Sequence, residues 1–113
     1  KKDSLCGVIS LNDINYFNRC CEISAIIGEK SSRTFQYFAE AVKLTCKHAF
    51  ETLNMNRIYS GTIAKEIDEL MCRTLGFVHE GISRKAVYKN GEYHDIYHHA
   101  MTIQNYGVND EKV

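Results

Sequence analysis

Between Leu5 and Leu11 the chain alternates: Leu5, Gly7, Ile9 and Leu11 fall on one side and the residues between them on the other. A period of two predicts a strand. Asn12-Asp13 and Asn15 break the alternation and predict a turn. Cys21, Ile23, Ala25 and Ile27 then share one face of a second strand, Cys20 to Ile27, with Glu22 and Ser24 opposite. The short polar connection predicts an antiparallel pair. Gly28 to Ser32 ends the strand, and Ser31 or Ser32 can cap a following helix by accepting a backbone N–H bond.

The period then changes. Phe35, Ala39, Val42, Cys46, Ala49 and Leu53 recur at helical steps, predicting a helix from Thr34 to Leu53 that stops at Asn54. Arg57 to Thr62 reads as a short strand. Lys65 to Thr74 reads as a second helix, with Ile67, Leu70 and Met71 inward and Glu66, Asp68 and Glu69 toward water. Gly76 ends it. Phe77 to Tyr88 and Glu92 to Met101 flank Asn90-Gly91, a pair that tolerates positive φ and predicts a hairpin. The order is β-β-α-β-α-β-β, an α/β (α+β) domain with a mixed sheet. Its central strand–helix–strand unit is parallel with a right-handed crossover.

With 113 residues there is room for one domain. Residues 1–103 form it, and 104–113 read as a polar, loose tail. Fourteen basic and fourteen acidic side chains leave no net basic charge, so a nucleic-acid partner is not expected. The densest basic run, Arg84-Lys85, reads as a solvated strand edge. No stretch reads as a membrane span or a signal peptide. The five cysteines are odd in number and form no C-x-x-C. Reduced thiols in a cytoplasmic protein are the expectation.

Two clusters suggest chemistry. His94, His98 and His99 lie close in sequence, but on a strand His94 and His98 stand about 13 Å apart at ~3.3 Å per residue. His99 points the other way, so no metal site is expected. These histidines can instead line an acceptor groove beside Tyr93 and Tyr97, or the tyrosines simply pack on the sheet. Cys20-Cys21 project to opposite faces of a strand, which suits packing better than a redox pair.

The series of local strings resembles the GNAT N-acetyltransferases, closest to the branch acting on ribosomal proteins, amino sugars and small amines. Glu22-Ile23 opens a strand ending in Ile27-Gly28-Glu29-Lys30. Ala39-Glu40-Ala41 lies in the long helix, Asn56-Arg57-Ile58 opens a strand, Leu75-Gly76-Phe77 precedes Glu80-Gly81, and Asn90-Gly91-Glu92-Tyr93 closes the pattern. The match covers residues 5 to 102 and corresponds to the family's C-terminal two thirds, without its opening β-α-α-β part.

The resemblance implies that acetyl-CoA lies in a splay between Glu22–Ile27 and Arg57–Thr62. Its pantetheine arm would pair with Ile26 and Ile27, and its pyrophosphate would rest on amides at the start of the long helix. The family's phosphate loop aligns with Arg33, Thr34, Phe35, Gln36, Tyr37 and Phe38. Gln36 and Phe38 stand where the family has small residues, which opposes ordinary phosphate binding. Phe35, Tyr37 and Phe38 read together as a packing cluster. The branch's Asn and Ser near the thioester are Lys65 and Asp68 here, and Cys72 stands where other members carry an acidic Tyr. Glu22 takes the position of the general base.

Two functions fit. One is an acetyl-CoA-dependent N-acetyltransferase acting on a small amine, an amino sugar or a protein N-terminus. The other is a non-catalytic module of the same fold that self-associates or binds a protein partner. The uncovered first strand predicts a homodimer. Lys1-Lys2 without an initiator Met fits either a piece of a longer chain or a shortened protein.

Overall fold

The computed structural model describes residues 7–27 and 34–111. Five strands form one sheet in the order β1-β2-β3-β5-β4, where β1 is Gly7–Asn15, β2 Cys20–Ile27, β3 Arg57–Thr62, β4 Val78–Lys89 and β5 Glu92–Thr102. The helices are α1 (Thr34–Lys47), α2 (Lys65–Thr74) and α3 (Ile103–Glu111). β2 and β3 are parallel, as the strand–helix–strand unit predicts, and every other pair is antiparallel.

Three local readings change. β1 does not stop at the polar residues after Leu11. It runs to Asn15 through a register irregularity between Asn12 and Asn15, with Asp13 at φ 50°. The long helix is α-helical only to Lys47, and one π-helical turn, His48–Thr52, follows. The wider turn brings Ala49 and its neighbour Phe50 into the core together, where a 3.6 period calls for Ala49 and Leu53. The segment expected to be a loose polar tail forms α3. Its first turn is held by Asn105 Oδ1, which accepts from the Thr102 amide (3.1 Å) and hydroxyl (3.0 Å). The Tyr106 ring stacks on Phe50 at 4.8 Å, and its hydroxyl donates to Glu51. Polarity hides this anchor because the apolar docking of α3 comes from Ile103 and Tyr106 in an otherwise polar stretch.

Other boundaries agree closely with the sequence pattern. Asn54, the expected helix stop, sits at φ 61°. Asn90 and Gly91 both have positive φ, 55° and 80°, at the β4–β5 turn.

Both helices α1 and α2 cover one face of the sheet. Cys21, Ile23, Ile58 and Met101 from the strands meet Val42, Cys46, Ala49 and Phe50 from the α1 side and Met71 and Leu75 from α2. Each large apolar side chain buried this way contributes about 1.5–3 kcal/mol. Arg19, at φ 57°, ties the β1–β2 turn to the α1–β3 connection. Its carbonyl accepts from the Asn56 and Arg57 amides at 2.6 and 3.2 Å, and its guanidinium donates to the Asn54 carbonyl at 2.8 Å.

Candidate active site

β2 and β3 pair at only three positions: Cys20 with Arg57, Cys21 with Ile58 and Glu22 with Tyr59. Beyond Glu22 the strands part. β2 remains paired to β1 as far as Ile27, and β3 to β5 as far as Thr62. Beyond Glu22 the backbone of β2 that faces β3 has no strand partner among the described residues. The gap opens into a cleft of ≈ 250 Å³ reaching under α1 and α2 and lined in part by Glu22, Ser24, Phe38, Ser60, Thr62 and His99.

Glu22 lies half-buried at the point where the strands separate. Ile26 is 73% exposed on the diverging strand, and Ile27 ends it. Arg33, with residues 28–32, lies outside the described residues. Thr34 opens α1, so Gln36 and Phe38 lie inside the helix and not in a loop before it. Gln36 is exposed. The expected packing cluster is not formed: Phe38 packs against the core and walls the cleft, while Phe35 and Tyr37 are 45% and 38% exposed. The buried stripe of α1 starts at Phe38, so the first turn overhangs it.

Asp68 also departs from its reading as a solvent-facing residue, being 5% exposed. Its spacing from Met71 and Leu75, three and seven residues on, places it on the buried stripe of α2, and this was the overlooked signal. It is paired twice. Oδ1 lies 2.8 Å from His99 Nδ1, and Oδ2 lies 2.9 Å from His79 Nδ1. His79 and His99 are cross-strand neighbours on β4 and β5, so both rings rise on the face that α2 covers. A carboxylate accepts and does not donate, so Nδ1 of each ring carries the proton. The His99 ring also packs edge-on to Phe77 at 5.4 Å. No described residue hydrogen-bonds His99 Nε2. His99 is 2% exposed and lines the cleft.

Cys72, one turn beyond Asp68, is half-buried. Burial first, and the Asp68 charge second, push its thiol pKa upward. Cys46 is pushed up to about 12 by burial, then by nearby Cys21. Cys20 and Cys21 turn to opposite faces as expected, the first half-buried and the second buried, and both are free thiols.

The other face of the sheet is polar. Arg57 forks onto Glu80 with bonds of 2.7 and 2.8 Å, and its guanidinium lies 5.7 Å from the Tyr59 ring centroid. That hydrogen-bonded pairing lowers the Glu80 pKa and raises that of Arg57. Ser83 Oγ and His98 Nε2 are 2.7 Å apart. A second cavity of ≈ 360 Å³ lies among Arg57, Tyr59, Glu80, Ser83 and His98, and His99 borders it too. A bulge at Gly81 (φ 149°) separates the two chemistries, leaving His79 on Asp68 and Glu80 on Arg57. Tyr93 is 62% exposed and packs edge-on to Tyr88 at 5.0 Å, and His94 Nε2 lies 3.2 Å from the Lys89 carbonyl. Among the described residues no three metal-ligating side chains converge as a set, and no helix is long and apolar enough to cross a membrane.

Known proteins share this arrangement. The sequence profile of the acetyltransferase (GNAT) domain matches residues 1–75. A Bacillus subtilis (strain 168) protein named as a ribosomal N-acetyltransferase, YdaF, is 32% identical over 99 residues, which is 87% of this chain and 54% of that protein. A second from the same organism, named as the N-acetyltransferase YjcK, is 33% identical over 91% of this chain and 56% of its own length. The chain thus spans just over half of either relative. A crystal structure named as an acetyltransferase superposes with a TM-score of 0.77 at 28% identity, covering 89% of this chain and 57% of that one. Spermidine/spermine N-acetyltransferase SpeG from Vibrio cholerae gives 0.82 over 94% of this chain and 64% of its own, at 23% identity, a likeness of fold. A profile over residues 1–75, the parallel strands that part after Glu22 and the shared fold lead to one conclusion: the chain belongs to the GNAT acetyltransferase family.

Proposed function

We propose that this domain transfers the acetyl group of acetyl-CoA to a primary amine. The observation that carries the reading is the open splay: a strand with unpaired backbone beside an accessible cleft can accept an extended pantetheine arm as an added strand. Ile26 and Ile27 would supply that backbone. Arg33, Thr34, Gln36, Tyr37 and Phe38, around the start of α1, would surround the phosphates, where the positive end of a helix favours an anion. The geometry fits the group, since Gln36 is exposed and Phe38 forms a wall of the cleft without filling it. Acetyl-CoA supplies an activated acyl group, and Glu22 at the mouth of the splay removes a proton from the incoming ammonium. The acceptor is a small amine, an amino sugar or a protein N-terminus. Relatives named for ribosomal and for spermidine acetylation bracket that range.

Calorimetric titration with acetyl-CoA and with CoA tests the reading. Micromolar binding that favours the acetylated form supports it, and an acceptor screen then assigns the amine. No binding at millimolar concentration would leave a module without the family's chemistry.

One observation favours self-association alongside catalysis. β1 is an edge strand, and the exposed apolar pair Val8 (53%) and Ile26 (73%) lies beside that edge on the face away from α1 and α2. Edges of this kind recruit another chain, and one Vibrio cholerae relative in fold is a dodecamer. A homodimer covering this strand is the expected form in the cytoplasm. A monodisperse monomer by light scattering at micromolar concentration would exclude it.

A further inference from the structure

Asp68 and His99 form a buried pair beside the cleft, and the second carboxylate oxygen holds His79. A carboxylate that is 5% exposed is costly to bury unless its hydrogen bonds serve it well. Here it spends one oxygen on the Nδ1 of a histidine that is itself 2% exposed. The effect on that histidine is specific. With Nδ1–H committed to Asp68, Nε2 is the ring nitrogen left to exchange protons; no described residue hydrogen-bonds it, and His99 lines the cleft. This is the arrangement in which a carboxylate fixes the tautomer of an imidazole so that the other nitrogen can exchange protons. Glu22 stands on the opposite face of the sheet, at the start of the same splay.

We infer that His99 is a second acid–base residue of the site, carrying a proton at Nε2 from the attacking amine to the departing sulfur, with Asp68 as its positioning residue. The inference rests on the acetyltransferase reading above. The nitrogen lone pair forms the N–C bond, and the C–S bonding pair leaves on sulfur. The proton released from nitrogen passes to Nε2 and from there to the thiolate, so the imidazole ends neutral, as it began. The surplus proton of the ammonium leaves earlier, through Glu22 to solvent. Nitrogen and sulfur are held by the same carbon as one bond forms and the other breaks, so a single imidazole nitrogen can serve both. Cys72 is poorly suited to this task, because a thiol with a raised pKa and partial burial is a weak proton donor.

His99→Asn provides the test, since its amide N–H can still reach Asp68 but nothing replaces Nε2. With the full chain, kcat falls by about 100-fold or more, while the Kd for acetyl-CoA stays within about threefold, a change of about 0.7 kcal/mol at most. Asp68→Asn keeps the volume but turns one of the two acceptor oxygens into a donor, so the side chain can no longer accept from both His79 and His99. It lowers kcat by about tenfold or more and displaces the pH limb that His99→Asn abolishes. The other titratable groups near His99 are Asp68 and Cys72 from α2, His79 and Glu80 from β4, and Glu22 in the lining of the same cleft. An independent readout needs no turnover. Long-range 15N NMR of the wild-type imidazoles should show His99 protonated at Nδ1 and bare at Nε2, with the Nε2 resonance moving on saturation with acetyl-CoA. If His99→Asn fails to fold by circular dichroism, Asp68→Asn and the NMR decide. Wild-type-like kcat and pH profile in the variants, or an Nε2 signal unmoved by saturating acetyl-CoA, overturns the role of His99 and leaves the acetyltransferase reading intact. A wild-type chain that binds no acetyl-CoA overturns both.

Discussion

On one face of the sheet Cys21, Ile23, Ile58 and Met101 lie under α1 and α2, none more than 4% exposed. On the other, Arg57, Tyr59 and His98 are half-buried and Glu80 is exposed, all joined by ion pairing, ring contact and hydrogen bonds. The same strands supply both faces, one residue apart. The apolar side chains of the first face hold the fold by displacement of water, a large contribution that does not depend on their own titration. The second makes exposed polar contacts whose net value is small but whose positions a substrate can read. The candidate site lies at the splay, where two neighbouring parallel strands stop pairing after three residues.

Substitutions sharpen that contrast. Ile58→Ala leaves a cavity between α1, α2 and the sheet, and it should cost roughly 2–5 kcal/mol in urea unfolding; a loss below about 1 kcal/mol would mean the helices are not the main cover. Gly61→Ala acts on the polar face. Its new Cβ would sit 2.9 Å from Ile96 Cγ2 and 3.3 Å from His98 Nδ1. Crowding of this kind costs about 1–3 kcal/mol, and Ile96→Ala in the same chain should recover most of it. Glu22→Gln should lower acetyl transfer at least about tenfold without changing the urea midpoint, and unchanged turnover would remove Glu22 from the chemistry.

The smallest effect belongs to the Arg57–Glu80 pair. Its hydrogen bonds to Arg57 hold the Glu80 carboxyl below its ordinary 4.5. The contribution to stability is therefore complete above 4.5 and fades as pH falls through the depressed value. Both side chains are more than a third exposed, so the pair contributes at most about 1 kcal/mol. Glu80→Gln should lower neutral stability by at most about 1 kcal/mol and flatten that part of the acid unfolding curve. An unaltered acid curve would show that the pair does not matter to the fold.

Period and punctuation carried most of the architecture. Alternation marks β2, helical spacing marks α2 to the residue, and Asn90-Gly91 marks the hairpin. What escaped had opposing local signals. Asp68 is charged on an apolar stripe, and charge is the stronger cue in a sequence even when two histidines wait on strands far along the chain. His99 was placed correctly on the face opposite His98, but its partner lies 31 residues away on α2, beyond any spacing rule. α3 was hidden because its hold on the core comes from Ile103 and Tyr106 within a polar segment. The splay was legible only through the family resemblance, because neither alternation nor composition reveals that two strands stop pairing after three residues.

Those three parallel pairs also make the sheet a two-panel object. One panel is the β1–β2 ribbon and the other is β3–β5–β4, with a seam only Cys20 to Glu22 long. Arg19 acts as a rivet at the closed end of that seam. A tilt of the panels about it would leave the bonds within each one intact but disturb the core that α1 and α2 share across the jaw between them. Amides along the seam would then report on the jaw, and those inside each panel on global unfolding.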